Sequence, residues 1–287
     1  METTMSLPVL SDSLLEALLH DDAPFGDLTT HVLGIGAMPG RIAFAARDRM
    51  VVACVEEAAR LLEIAGARAS ATVASGSELA PGAPILAATG PAEALHRAWK
   101  VAQTLVEYAS GIATAARRIV EAARAARPDV AIACTRKNMP GAKALAIKSI
   151  LAGGAMPHRL GLSETILIFA EHRAFFGGQT AAAMVAQARR GAPEKKIVVE
   201  VPAIDEAVAW AEAGADVLQT ERWSVDDLSD LANRLAALPR KPLLAAAGGI
   251  NARNAAAYAA AGADILVTSA PYFAAPLDVA VRIEPAG

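Results

Sequence analysis

Apolar and polar positions follow two rhythms along the chain. In the second half, short apolar runs alternate with stretches whose apolar residues recur three or four apart, the spacings of a buried strand and of an amphipathic helix. Ile197–Val201 reads as a strand and Ile204–Ala213 as a helix closed by Gly214. Next come the strand-like Ala215–Gln219, the helical Ser224–Leu238, the strand-like Pro242–Ala247, the helical Asn251–Ala261 and the strand-like Ala263–Val267. Strands alternating with helices predict right-handed βαβ units and a parallel sheet. Ala213-Gly214-Ala215-Asp216-Val217-Leu218 is echoed by Ala261-Gly262-Ala263-Asp264-Ile265-Leu266, 48 residues later, the length of two βα units. That spacing favours a closed barrel over an open doubly wound sheet.

The first hundred residues are patterned differently. Arg41–Ala46, Met50–Val55, Ala69–Ala74 and Ile85–Ala88 read as short strands, Glu56–Ala65 as a helix, and Gly76–Pro84 as a turn-rich insertion. This predicts an α/β sandwich over 1–109. A helical pattern from Ala92 to Ala126 is interrupted at Ser110-Gly111, which places the junction there and an α/β barrel over 110–272. A tail, 273–287, returns to the first domain.

Composition narrows the class. Hydrophobic residues make up 54% of the 287, enough for a sizeable core, while aromatics reach only 4%, too few for a base-stacking surface. A net charge of −3 provides no bulk field for nucleic acid or an acidic membrane. Cys54 and Cys134 are the only cysteines, without CxxC spacing, and the opening residues lack a basic start followed by an apolar run. A reduced, cytoplasmic protein is expected.

Candidate chemistry gathers at predicted strand ends. Arg136 and Lys137 follow the apolar Val130–Ala133 and precede the helix Lys143–Leu151. Active-site groups collect at the C-terminal ends of barrel strands, so this pair reads either as an anion site or as a solvated basic turn. One step later Gly153-Gly154-Ala155-Met156-Pro157-His158-Arg159 delivers a second basic pair, which tips the balance toward an anion. Glu200 and Glu221 lie at successive strand ends. They could hold ribose hydroxyls, bind Mg²⁺ carried by a phosphorylated substrate, stabilise a developing cation, or merely pair with Arg136, Arg159 or Arg222. Gly248-Gly249-Ile250-Asn251 leads from strand to helix and suits a phosphate. There is no HExxH, Walker or GxSxG pattern, so no resident metal is expected, and His20, His31, His96 and His172 have no evident partner.

In order and spacing these motifs resemble the quinolinate phosphoribosyltransferase family over nearly the whole chain. The matching stretches are Gly26-Asp27-Leu28-Thr29-Thr30, Ser110-Gly111-Ile112-Ala113-Thr114, Thr135-Arg136-Lys137 with Pro140-Gly141, His158-Arg159-Leu160-Gly161-Leu162 and Gly248-Gly249-Ile250. The resemblance implies an N-terminal α/β sandwich followed by a TIM-like α/β barrel, the type II phosphoribosyltransferase fold, in a homodimer with sites shared between subunits. The implied reaction transfers phosphoribosyl from phosphoribosyl pyrophosphate (PRPP), with its Mg²⁺, to a nitrogen heterocycle and releases pyrophosphate. Arg136, Lys137, His158 and Arg159 would hold substrate carboxylates and pyrophosphate, and Glu200 and Glu221 would act on the ribose. Gly248 and Gly249 would hold the 5′-phosphate, and Lys100 would stand where the family supplies an arginine from the neighbouring subunit.

Some positions depart from the family. Phe169-Ala170-Glu171-His172 replaces lysine-aspartate-asparagine before the histidine, so a site cation is lost to an apolar ring. Glu221 replaces an aspartate, Pro157 an asparagine, and Ala245–Ala247 the usual acidic and hydroxyl residues. These changes resemble the ModD subfamily, which is associated with molybdate-transport genes, and they imply an acceptor less negative than quinolinate. Two other readings stand beside this one: a non-catalytic oxyanion-binding or regulatory protein on the same fold, and a barrel aldolase using Lys137 as a Schiff base.

Overall fold

The computed structural model describes residues 10–286; the first nine, on which part of the reading of the opening segment rests, and the last lie outside the described residues. The described backbone divides into two compact units, one of residues 10–117, 138–154 and 271–286 and the other of 118–137 and 155–270.

The first unit is an antiparallel sheet with helices. Strand β1 (Pro39–Ala46) buries alternate residues, the period-2 rhythm of a half-buried strand. The short β2 (Met50–Val51), β3 (Arg68–Ala71), β4 (Glu78–Leu79) and β5 (Pro84–Pro91) follow. The C-terminal strand Val279–Pro285 pairs with β1, which gives the order C-terminal strand, β1, β5, β3. Helices α1 (Asp12–Asp22), α2 (Leu28–Val32), α3 (Val55–Ile64), α4 (Ala92–Ala126) and α5 (Lys143–Ala152) accompany it. Leu15, Leu19, Ile42, Phe44, Leu61, Leu62, Leu86 and Leu95 form its core.

Two expectations are corrected here. Helix α4 runs unbroken through Ser110-Gly111 for 35 residues, about 52 Å at 1.5 Å per residue. Gly111 marks a close approach, since a Cβ there would collide with the backbone of Ala275 and Pro276. The neighbouring hydroxyls explain why β2 stops after two residues instead of continuing to Val55. Thr114 Oγ1 accepts from the Val51 N–H at 2.8 Å and Ser110 Oγ from the Ala53 N–H at 3.1 Å, so helix side chains satisfy donors that a ladder would otherwise use. Asp27 is likewise a helix cap, accepting from the N–H groups of Thr29 and Thr30 at the start of α2.

A buried ion cluster ties α5 to α3 inside this unit. Lys148 Nζ, wholly inaccessible, lies 2.6 Å from Glu57 and 2.8 Å from Glu56. Burial alone would lower the Lys148 ammonium, but the bonds to Glu56 and Glu57 hold it above its ordinary value. Burial likewise works to raise Glu56; Lys148 and Ser75 prevail and bring it to about 2.

The second unit is a parallel sheet ordered β7 (Met156–Pro157), β6 (Ala131–Cys134), β12 (Ile265–Thr268), β11 (Leu243–Ala247), β10 (Val217–Glu221), β9 (Ile197–Val201) and β8 (Ile166–Ile168). It carries helices α6 (Ala170–Arg173), α7 (Ala181–Gly191), α8 (Ile204–Glu212), α9 (Val225–Ala236) and α10 (Ala255–Ala260). The sheet curls into a half-barrel around Ala133, Leu167, Val198, Val217, Ala245, Ala247 and Val267. Among the described residues no ladder joins β7 to β8, so the expected closed barrel is open at that seam.

The sequence echo proves to be a strand clamp. Asp216 accepts from the Ile197 N–H at 2.9 Å and from Arg189 and Arg240, while Asp264 accepts from the Leu244 N–H at 2.8 Å and from Arg127. Each aspartate thereby fixes the register of a neighbouring strand at its N-terminal end. Burial pushes the Asp216 carboxyl up, but the Ile197 N–H and Arg189 outweigh it and hold it below its usual range. No described helix is long and apolar enough to cross a membrane.

Replacing Lys148 by Met leaves Glu57 as an uncompensated buried charge and should cost about 3–5 kcal/mol, measured by urea unfolding; a loss under about 1 kcal/mol would mean the cluster is not buried in solution. Because Glu56 titrates lower in the folded than in the unfolded chain, its stabilisation is complete above an unfolded value of about 4.3 and is lost as pH falls toward about 2. The melting temperature of Glu56→Gln should therefore converge on that of the unaltered protein as pH drops from neutral to about 2, and a constant gap across that range would contradict the linkage.

Candidate active site

Parallel pairing brings every C-terminal strand end of the second unit to one edge, and four of the predicted basic residues lie there. Arg136 and Lys137 follow β6 and are exposed, while His158 and Arg159 follow β7. The two loops are linked, since the His158 N–H donates to the Cys134 carbonyl at 2.8 Å. Arg159 is only 8% exposed, yet among the described residues none of these four basic residues forms an ion pair. Burial lowers the Arg159 guanidinium, and the like-charged Arg136 lowers it further. Burial and then Arg159 also lower His158, against the weaker pull of Glu164, so neutral imidazole is favoured. Two guanidinium groups that repel each other without a carboxylate between them form a site for an anion.

The carboxylates occupy adjacent strands. Glu200 shares the interior face of β9 with Val198, and Glu221 ends β10 on the face that carries Val217 and Gln219. Burial raises the Glu200 carboxyl, and Glu221 raises it further against the hydrogen bond from Gln219. Of the ion pairs considered for these groups, the structure holds one, Glu221 with its neighbour Arg222 at 3.6 Å. Glu200 instead accepts from Gln219 Nε2 at 3.1 Å.

The glycine pair has two separate causes. Gly248, at φ 85°, abuts the exit of β10, and a Cβ there would lie 2.7 Å from the Arg222 backbone nitrogen and 2.8 Å from Glu221 Oε1. Gly249, at φ 81°, has nothing within 4 Å of its would-be Cβ, so its backbone stands open. The predicted helix at Asn251 begins only at Ala255, because Asn254 folds back: its Oδ1 accepts from the Asn251 N–H at 2.8 Å and its amide donates to the Gly249 carbonyl at 3.1 Å. The N–H groups of Gly248, Gly249 and Ile250 have no acceptor among the described residues. What this loop offers an anion is thus those amides, not a helix dipole from Asn251.

Several participants were not predicted. Thr268 Oγ1 donates to the Ile250 carbonyl at 2.7 Å, and Thr135 and Ser269 hydroxyls meet at 2.6 Å, which ties the loops after β6, β11 and β12 together. The strand-end rule that selected Glu200 also applies to Ser269. Phe169 packs against the interior cluster, and His172, expected to lack a partner, accepts the Phe169 N–H at Nδ1 and stacks on the ring. Lys100 lies in the first unit on α4, exposed, with its amine over the Trp99 ring and bonded to Gln103 Oε1 at 3.0 Å.

Comparison with known proteins agrees with this geometry. The family model for the quinolinate phosphoribosyl transferase N-terminal domain matches residues 27–110, and that for its C-terminal domain matches 112–282. A Rhodobacter capsulatus protein named "Putative pyrophosphorylase ModD" is 48% identical over 248 residues, covering 86% of this chain and 95% of its own length. The human nicotinate-nucleotide pyrophosphorylase [carboxylating] is 31% identical over 96% of this chain and 92% of its own. In fold, the crystal structure of NadC from Streptococcus pyogenes superposes with a TM-score of 0.89 at 22% identity, covering 98% of this chain and 100% of that one. With both domain models matched in series over a sandwich and a half-barrel, the chain belongs to the quinolinate phosphoribosyl transferase family.

Proposed function

We propose that this protein is a phosphoribosyltransferase of the pyrophosphorylase kind, joining the phosphoribosyl group of Mg²⁺-bound PRPP to a nitrogen heterocycle less anionic than quinolinate. The observation that carries this reading is the set of basic residues without ion-pair partners, the cations Arg136, Lys137 and Arg159 with the imidazole of His158, facing the same strand edge as Glu200 and Glu221. In the transfer, the ribose C1–O bond to pyrophosphate breaks and a C1–N bond to the heterocycle forms. Negative charge grows on the departing pyrophosphate, where Arg136, Lys137 and Arg159 stabilise it. Positive charge grows on the ribosyl ring, where Glu200 and Glu221 oppose it. The open amides of Gly248 and Gly249 suit the 5′-phosphate. Mg²⁺ enters with the substrate.

Phe169 supports the altered acceptor, since an aromatic ring on the interior cluster cannot neutralise a second carboxylate. The exposed amine of Lys100 supports a homodimer in which one subunit supplies a cation to its partner's site. Two free, buried cysteines suit the reducing cytoplasm. The molybdenum connection rests on the ModD relatives alone. An oxyanion-binding protein on this fold would use the same cations without turnover, and release of pyrophosphate separates the two.

Arg136→Ala should weaken PRPP binding by about 10²-fold, the loss of a charge-assisted contact of about 3 kcal/mol, measured by calorimetry; unchanged affinity would remove Arg136 from the site. Subunits carrying Lys100→Ala and Arg136→Ala, inactive separately, should recover up to about a quarter of the activity when mixed, because random pairing leaves one intact site in half the dimers. Absence of recovery in a verified heterodimer would show that each site is self-contained.

A further inference from the structure

Gln219 is 5% exposed, and its Oε1 is a buried acceptor with no partner. It stands on the interior face of β10, between Val217 in the half-barrel core and Glu221 at the mouth. Its orientation is determined by its neighbours: an ionised carboxylate only accepts, so the amide turns Nε2 to Glu200 and leaves Oε1 facing away. Across the sheet its paired residues are Glu200 on β9 and Ala245 on β11, and Glu221 pairs with Ala247. Alanine methyl groups offer no donor to the free oxygen, and Phe169, just past the end of β8, packs against the same interior cluster. A buried acceptor left unsatisfied costs roughly 1–3 kcal/mol, so this one is expected to have a ligand.

We propose that Gln219 determines acceptor specificity, its side-chain oxygen receiving a hydrogen bond from an N–H donor on an uncharged heterocycle, such as a ring carboxamide or amino group. The inference rests on the phosphoribosyl-transfer reading and sharpens its acceptor. A ring carboxylate at this position would set oxygen against oxygen, with Glu200 close by, whereas a carboxamide supplies the missing donor. Sites built to hydrogen-bond a polar group reject analogues lacking it much more strongly than apolar pockets reject a methylene.

The test uses full-length protein and two probes of equal shape, pyridine-3-carboxamide and pyridine-3-carboxylate, with PRPP binding measured in parallel by calorimetry. The unaltered protein should bind the carboxamide more tightly by about 10-fold or more. Gln219→Leu should abolish that preference, with PRPP affinity read separately because the substitution also removes the donor to Glu200, and Gln219→Met, which keeps the chain length, serves if the leucine variant does not fold. Equal affinity for the two probes, or binding of neither, would overturn the proposal. So would retention of the carboxamide preference in a folded variant. If PRPP does not bind while the carboxamide preference persists, the transferase reading fails and the Gln219 contact stands.

Discussion

The parallel ladder of the second unit is the constraint on which the site depends. Parallel neighbours cannot be joined by a tight turn, so each strand returns through a crossover outside the sheet and all strands end on one edge. Residues as distant in the chain as Arg136 and Ser269 therefore end side by side. The clamps at the other edge keep that alignment in register. Asp216 holds the first N–H of β9, and Asp264 holds the second residue of β11, each also engaging an arginine. A slip of one residue would turn Glu200 and Gln219 out of the interior and bring Val199 and Thr220 in.

Much of this was legible in the sequence because the period of the pattern changes between the two halves. The βα alternation after Lys195 located β9 to β12 to within two residues, and the strand-end rule then selected Arg136, Glu200 and Glu221 without further help. What the pattern could not show were bonds made by side chains to distant backbone. Met50–Val55 has the composition of a strand, yet Ser110 and Thr114 take its donors, and local periodicity contains no trace of residues some sixty positions away. Ser110-Gly111 read as a helix break because glycine lowers helix propensity; a close contact with Ala275 outweighs that cost. Asn251 read as the start of a helix, and the Asn254 fold-back displaced it.

The family motifs divide physically into scaffold and chemistry. Asp27 caps a helix, Ser110 and Thr114 satisfy a short strand, and Gly248 makes room for the backbone leaving β10. None of these needs a ligand to explain it. The basic quartet is different, because the fold is destabilised by placing Arg136 near Arg159 and by burying Arg159 without a counter-ion. A bound anion would offset that cost, so these four residues bear on the proposed function more directly than the glycines do.

Where the substitutions fall completes the argument. The four basic residues and Glu221 stand at the outer rim of the strand ends, and Glu200 lies one layer inward, level with Gln219. Phe169 and Ala245, two of the positions that depart from the family pattern, lie inward beside Gln219, against or within the half-barrel's core face. On the proposed transfer, the charge of the departing pyrophosphate is met by Arg136, Lys137 and Arg159, none of which is among these inner positions. On the proposed transfer, a change confined to Phe169 and Ala245 would alter which heterocycle is accepted while leaving the pyrophosphate-facing cations in place, a change of specificity and not, by itself, a loss of catalysis.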